Sequence, residues 1–224
     1  MRKLRDIETP LANFMASGPL RLGPKLGPIL WQFPPQMKFD RELFEPFLAL
    51  LPGDTGEARK LARQHHSRVD GREWLESEVR QPIRHAVEIR HDSFCTAEFI
   101  KLLRQYQVGL VCADTVEWPL LMDVTADFVY CRLHGSKELY VSGYDDKALD
   151  IWAERIDAWA HGREPENASR VLKPLKSSTK GRDVYVYFDN DVKVRAPADA
   201  RSLAERLGVA VLPAEEDVPV KRRA

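Results

Sequence analysis

Five short apolar runs punctuate the chain, and each gives way to polar or turn residues. They are GPILWQF (27–33), HAVEIRH (85–91), VGLVCAD (108–114), FVYCRLH (128–134) and DVYVYFDN (183–190). Their length and their content of Val, Ile, Tyr and Phe predict strands. Amphipathic helical patterns lie between most of them. DRELFEPFLALL (40–51) opens on a capping Asp40 and stops at Pro52-Gly53. GEARKLARQHH carries helix through Ala58, Leu61 and Ala62, and TAEFIKLLRQY follows a cap at Thr96 with Phe99, Leu102, Leu103 and Tyr106 on one face. DDKALDIWAERIDAWA spaces Leu149, Trp152, Ile156 and Trp159 by three and four residues, and PADARSLAERLG closes on Gly208. Strand alternating with helix predicts an α/β fold with a parallel sheet and right-handed crossovers. No glycine-rich phosphate loop follows any strand, which argues against dinucleotide binding.

Composition narrows the partners. Lys plus Arg and Asp plus Glu both number 34 in 224 residues, so the formal charge is zero. That balance supplies no attraction for nucleic acid or for an anionic membrane. No apolar run of about 18 residues occurs and the N-terminus has no signal-like core, so the expectation is a soluble cytoplasmic protein. Cys95, Cys112 and Cys131 are too widely spaced for a Cys-x-x-Cys site, and their odd number argues against a disulfide framework. Cys112 and Cys131 read as small core residues. The last residues, PAEEDVPVKRRA, mix charge with proline, so a domain over 1–212 and a frayed tail over 213–224 are expected.

Polar side chains collect where the strands end: Gln32, Glu88, Arg90, Asp114, Arg132, His134 and Asp189. In a (β/α)₈ barrel that is the end where sites are built. Five strands do not close such a barrel. At roughly 30 residues per unit, three further units would need about 90 residues, whereas about 26 precede the first run. That leading piece, with Leu11, Phe14, Met15 and Leu20, reads as a helix and loop entering a strand.

Four blocks in one order carry a family resemblance: LGPILWQFPP (26–35), RHAVEIRHDSF (84–94), VYCRLHG (129–135) with LYVSGY after it, and DVYVYFDNDVKVRAPADARSL (183–203). Together they resemble the domain-of-unknown-function 72 family, also called YecE-like. The resemblance implies a TIM-type (β/α) barrel and no assigned activity. It also implies that this chain matches strands four to eight of eight, because the Gly-Thr-Ser-Gly-Trp-like and Asn-x-x-Phe-Tyr-like segments that open family members have no counterpart here. A truncated or misplaced start is one explanation, and a half-barrel that pairs with another chain is the other.

Strand alternation then sorts the polar residues. Val87 and Ile89 share one side of their strand, Ala86, Glu88 and Arg90 the other; Tyr130, Arg132 and His134 share a side opposite Val129, Cys131 and Leu133. With Asp114 ending the strand between them, all three strands are expected to aim polar groups at one volume. One reading is a satisfied ion-pair network, Glu88 with Arg132 or Arg90. The other is a pocket for a small anionic or polyhydroxylated ligand. There Arg90 and Arg132 supply forked donors, Glu88 or Asp114 a general acid or base, and His134 a proton shuttle. Gln32, Gly135, Tyr140, Tyr144, Asp189 and Asn190 complete the candidate rim, the two tyrosines in a loop over the pocket. No spacing is diagnostic of a metal site, so no cofactor is identified and a divalent metal is a lesser alternative. The expected function is an enzyme or ligand-binding barrel. The alternative is a non-catalytic fragment or assembly module whose open sheet edges favour self-association.

Overall fold

The computed structural model describes residues 4–77, 79–135, 143–190 and 195–209. Every apolar run forms a strand: β1 (Ile29–Gln32), β2 (His85–Glu88), β3 (Gly109–Asp114), β4 (Phe128–Leu133) and β5 (Asp183–Phe188). All four pairings are parallel, and the spatial order β1-β2-β3-β4-β5 repeats the chain order. The sheet is therefore wound in one direction, with β1 and β5 at its two edges among the described residues. Tyr140 and the tail over 213–224 lie outside the described residues.

Among the described residues, six α-helices accompany the sheet: α1 (Glu8–Ala16), α2 (Arg41–Leu50), α3 (Thr55–Ala62), α4 (Ala97–Tyr106), α5 (Asp146–Ala160) and α6 (Arg195–Arg206). Four start on a side chain that accepts a backbone N–H left over by the first turn. Asp40 accepts from Glu42, Asp54 from Glu57, Thr96 from Phe99 and Asp145 from Ala148. The leading piece is a helix and turn as expected, burying Leu11, Met15 and Leu20. Between β3 and β4 no helix intervenes. An irregular segment covers the sheet there with buried Leu121, Met122 and Val124, while Thr125 Oγ1 accepts from Leu110 N–H and donates to the Val108 carbonyl.

The sheet has two unlike faces. On the helix side, Val87, Ile89 and Leu110 join the α2 and α4 side chains, and Cys112, Val129, Cys131 and Leu133 join those of α5. On the other side lie Ala86, Val111, Ala113, Phe128 and Tyr130, with Leu30 and Tyr185 beside them. This second face is concave. Neighbouring strands are about 4.8 Å apart, so β2 and β5, or β1 and β4, would stand about 14 Å apart in a flat sheet. Yet Arg84, entering β2, reaches Asp183 of β5 at 2.5 Å and the Tyr185 hydroxyl at 3.1 Å. Arg132 of β4 lies 3.3 Å from Gln32 of β1. Side chains standing perpendicular to a sheet meet across three strand spacings only if the sheet curls around them.

Candidate functional site

The residues that converge come from four strands, at the ends where the chain leaves the sheet. Register sets which ones. Gln32 pairs with Glu88 and therefore shares its face. Arg132 pairs with Ala113 and with Tyr187, which puts Ala113 and Tyr187 on the same concave side. Two residues beyond Arg132 and Tyr187, His134 and Asp189 continue that face.

Glu88 is fully buried at the centre. One of its oxygens accepts from Arg90 Nε at 2.7 Å, and the other accepts from the Arg132 guanidinium. Arg132 also donates to Asp189 and to Gln32 Oε1. Burial alone would lower the pKa of Arg132, but the hydrogen bond and charge of Glu88, with Asp189 behind them, raise it instead. His134 is buried, with Nδ1 3.2 Å from Asp189 Oδ2 and its ring edge-on to Trp118 at 5.5 Å. Arg90 lies over the same indole, 4.2 Å from the ring centre, a cation–π contact. The network thus balances two guanidiniums against two carboxylates. The most accessible members are Gln32 and Asp189, whose side chain is 39% accessible, against 12% and 14% for Arg90 and Arg132.

Burial, and secondly the positive charge of Arg132, push the His134 pKa below its ordinary value. His85, at the opposite end of β2, is lowered by burial too, held between the Trp31 indole N–H and the Pro52 carbonyl. An unfolded chain takes up these protons near pH 6.5, whereas the folded chain resists them. The unfolded state therefore binds more protons just below pH 6.5, and stability is full above that pH and falls as the pH drops through it. Urea midpoints should decrease from pH 7.5 to pH 5.5, and His134→Gln should make that decrease shallower. An unchanged slope would remove His134 from the account.

A family model described as "Protein of unknown function DUF72" matches residues 1–222. The chain belongs to the DUF72 family. A crystal structure of a DUF72 protein from Thermotoga maritima is 22% identical, with a TM-score of 0.61, covering 91% of this chain and 66% of that one. Two crystal structures of a DUF72 protein from Enterococcus faecalis are 18% identical, with TM-scores of 0.52 and 0.50. They cover 86% and 83% of this chain and 64% and 62% of their own. The chain spans just under two thirds of the length of these structures, and at such identity the likeness establishes the fold. No curated protein matches.

The site differs from its sequence-based expectation at three residues. Asp114 does not aim at the common volume. Its register partner is Leu133, not Arg132, so it faces the helices, where Oδ2 accepts from Trp152 Nε1 at 3.0 Å. Tyr144 is not a lid residue. It is buried in the helix-side core, edge-on to Phe188, with its hydroxyl accepting from Gly135 N–H at 3.1 Å. Burial and then Asp114 raise its pKa far above the phenol range, so it stays protonated. Asn190 is buried rather than on the rim, donating to Asp199 at 2.8 Å. Gly135 sits at φ +106°, a backbone conformation that side-chain-bearing residues rarely adopt.

Two contributors were not anticipated. Trp118 comes from the irregular segment after β3, where no periodicity points to it. Tyr187 was legible, since Asp183, Tyr185, Tyr187 and Asp189 alternate with Val184, Val186 and Phe188. Among the described residues, no group of three or more His, Cys, Asp or Glu side chains is arranged to hold a metal. No described helix is long and apolar enough to cross a membrane. A cleft of about 590 Å³ lies at the other end of the strands, lined by Leu26, Leu51, Ile83 and Val108 among others. Its charged groups, Arg84 and Asp127, are paired with each other, and Arg84 also pairs with Asp183. Size favours that cleft, but convergent polar groups favour the network, and recognition chemistry depends on the second.

Proposed function

We propose that this chain is a ligand-binding protein whose concave sheet face takes a small, uncharged, hydroxyl-rich molecule where the strands end. The observation that carries this reading is the charge balance of the network. Both Glu88 oxygens are engaged by guanidiniums, and Arg132 is engaged by Glu88, Asp189 and Gln32. An anion would have to displace a carboxylate to reach Arg132, at the cost of leaving that carboxylate unpaired. A hydroxyl has no such requirement. It both donates and accepts, and the exposed groups offer one of each kind: the Asp189 carboxylate as acceptor and the Gln32 amide as donor. With its oxygens occupied, Glu88 is a poor candidate for proton transfer, and we assign no reaction to the site.

The same reading takes the curled sheet as an arc of a (β/α) barrel, resembling strands four to eight. Its support is the sequential parallel order, the reach of Arg84 and Arg132 across three strand spacings, and the greater length of the solved DUF72 structures.

Calorimetric titration tests the function with sorbitol, methyl β-glucopyranoside, inorganic phosphate, citrate and magnesium ion. Saturable binding of the two neutral compounds is expected, weakened by Asp189→Asn, whose amide replaces one acceptor oxygen with a donor. Tighter binding of phosphate or citrate than of either neutral compound would refute the reading, as would unaltered affinity in Asp189→Asn.

A further inference from the structure

Three tyrosines form a ladder on the concave face, directly below the network. Tyr185 and Tyr130 lie 6.4 Å apart with their planes 24° from parallel, and Tyr130 and Tyr187 lie 5.0 Å apart at 23°. The order follows from register, because Tyr130 pairs with Tyr185 and Arg132 with Tyr187, so the rings share one face of β4 and β5. Burial, and then the neighbouring Tyr187 with which it shares a hydrogen bond, push the Tyr130 phenol up to about 12. The Tyr130 hydroxyl therefore stays protonated near neutral pH.

The uppermost ring is the informative one. Tyr187 is 48% exposed although Tyr130 covers one of its faces. It stands on the edge strand β5, where among the described residues no further strand lies alongside. Its open surface is thus a flat aromatic face next to hydrogen-bonding groups. Asp189 stands two residues further along the same side of β5, about 7 Å away along the strand. The Arg132 guanidinium lies across from Tyr187 in register and donates to that same carboxylate.

From this juxtaposition we infer that the ligand is a pyranose, bound with the C–H face of its ring on Tyr187 and its hydroxyls on Asp189 and the groups beside it. The inference rests on the proposed binding of a neutral, hydroxyl-rich molecule and narrows it to a class. An acyclic polyol offers hydroxyls without a flat apolar face. A pyranose with equatorial hydroxyls has both, its axial C–H bonds forming one apolar side and its hydroxyls radiating around the rim. Aromatic rings favour such apolar, slightly positive C–H faces over their own electron-rich surface. A phosphorylated sugar is disfavoured for the reason already given, since the guanidiniums are held by carboxylates.

The test compares methyl β-glucopyranoside with sorbitol on the parent, Tyr187→Ala and Tyr187→Phe. The parent should bind the pyranoside about tenfold more tightly than sorbitol. Tyr187→Ala should lose that margin, and Tyr187→Phe should retain it. Saturation-transfer NMR on the parent should mark H1, H3 and H5, the axial protons of one ring face, above the others. Equal affinity of the parent for the two compounds would overturn the inference and leave the network reading intact, as would a full margin in Tyr187→Ala. Absence of binding by both compounds would overturn the network reading and the inference with it. Tyr187 is half exposed on an edge strand, and circular dichroism of the variants verifies that they fold.

Discussion

Replacing Glu88 by alanine is expected to destabilise the chain by about 3–5 kcal/mol, the cost typical of removing one partner from a buried ion pair. Glu88 is fully buried and accepts from both Arg90 and Arg132, whose side chains are 12% and 14% exposed. Its loss leaves two poorly hydrated guanidiniums facing each other across a gap. Arg132 would retain Asp189 and Gln32, and Arg90 would retain the face of Trp118. Glu88→Gln should fall between parent and alanine, because an amide presents one oxygen and one N–H group to two donors. Asp189→Asn removes a charge from the same network at a side chain 39% exposed. Water replaces much of what that carboxylate supplied, so its cost should be within about 1 kcal/mol. Urea unfolding at pH 7.5, with a common slope for all variants, measures the series. A cost for Glu88→Ala within about 1 kcal/mol would mean that the network is better hydrated than its burial implies.

Phe44→Ala should cost a similar amount, about 3–5 kcal/mol, for a different reason. Phe44 is fully buried on α2, with the rings of Phe33, Phe94, Phe99 and Phe47 centred 5.0, 5.5, 5.6 and 5.8 Å away. Most of these contacts are edge-to-face, so truncation removes specific ring pairs as well as apolar burial. Five rings locked together do not collapse readily into the space that one leaves. The effect reaches the site, because Phe33 directly follows Gln32 at the end of β1. Amide exchange in β1 and α2 should accelerate more than exchange in β4. Leu22→Ala, at a side chain 51% exposed, serves as the control and should stay within about 0.5 kcal/mol. A Phe44→Ala cost no larger than that of Leu22→Ala would contradict the packing described here.

Much of the fold and part of the site could be read from the chain before any coordinates. Strand and helix identities followed from period and capping, both local properties. Asp40 and Thr96 cap the helices they were expected to cap. Glu88 and Arg90 could be assigned to one side of their strand, and Arg132 and His134 to one side of theirs, because alternation along a strand is itself local. The same alternation in β5, which would have linked Tyr185, Tyr187 and Asp189, was equally legible. Both readings of the polar strands also retain a place. The ion pairs of Glu88 with Arg90 and Arg132 are present in the structure, and the exposed margin at Gln32 and Asp189 is what the proposed ligand would use.

Asp114 marks where the local argument stops. Alternation states that Cys112 and Asp114 share a side, but Leu110, Val111, Cys112 and Ala113 are all apolar, so nothing in β3 says which side faces the helices. Pairing with β4 decides it, since Ala113 falls opposite Arg132 and Asp114 opposite Leu133. Tyr144 and Trp118 are similar cases, each in an irregular segment whose course is dictated by what it packs against. Period and capping act over a few residues and are written in the residues themselves. Register, curl and the meeting of Arg132 with Gln32 are set by the packing of distant segments, and a periodicity confined to one strand carries no information about its neighbour.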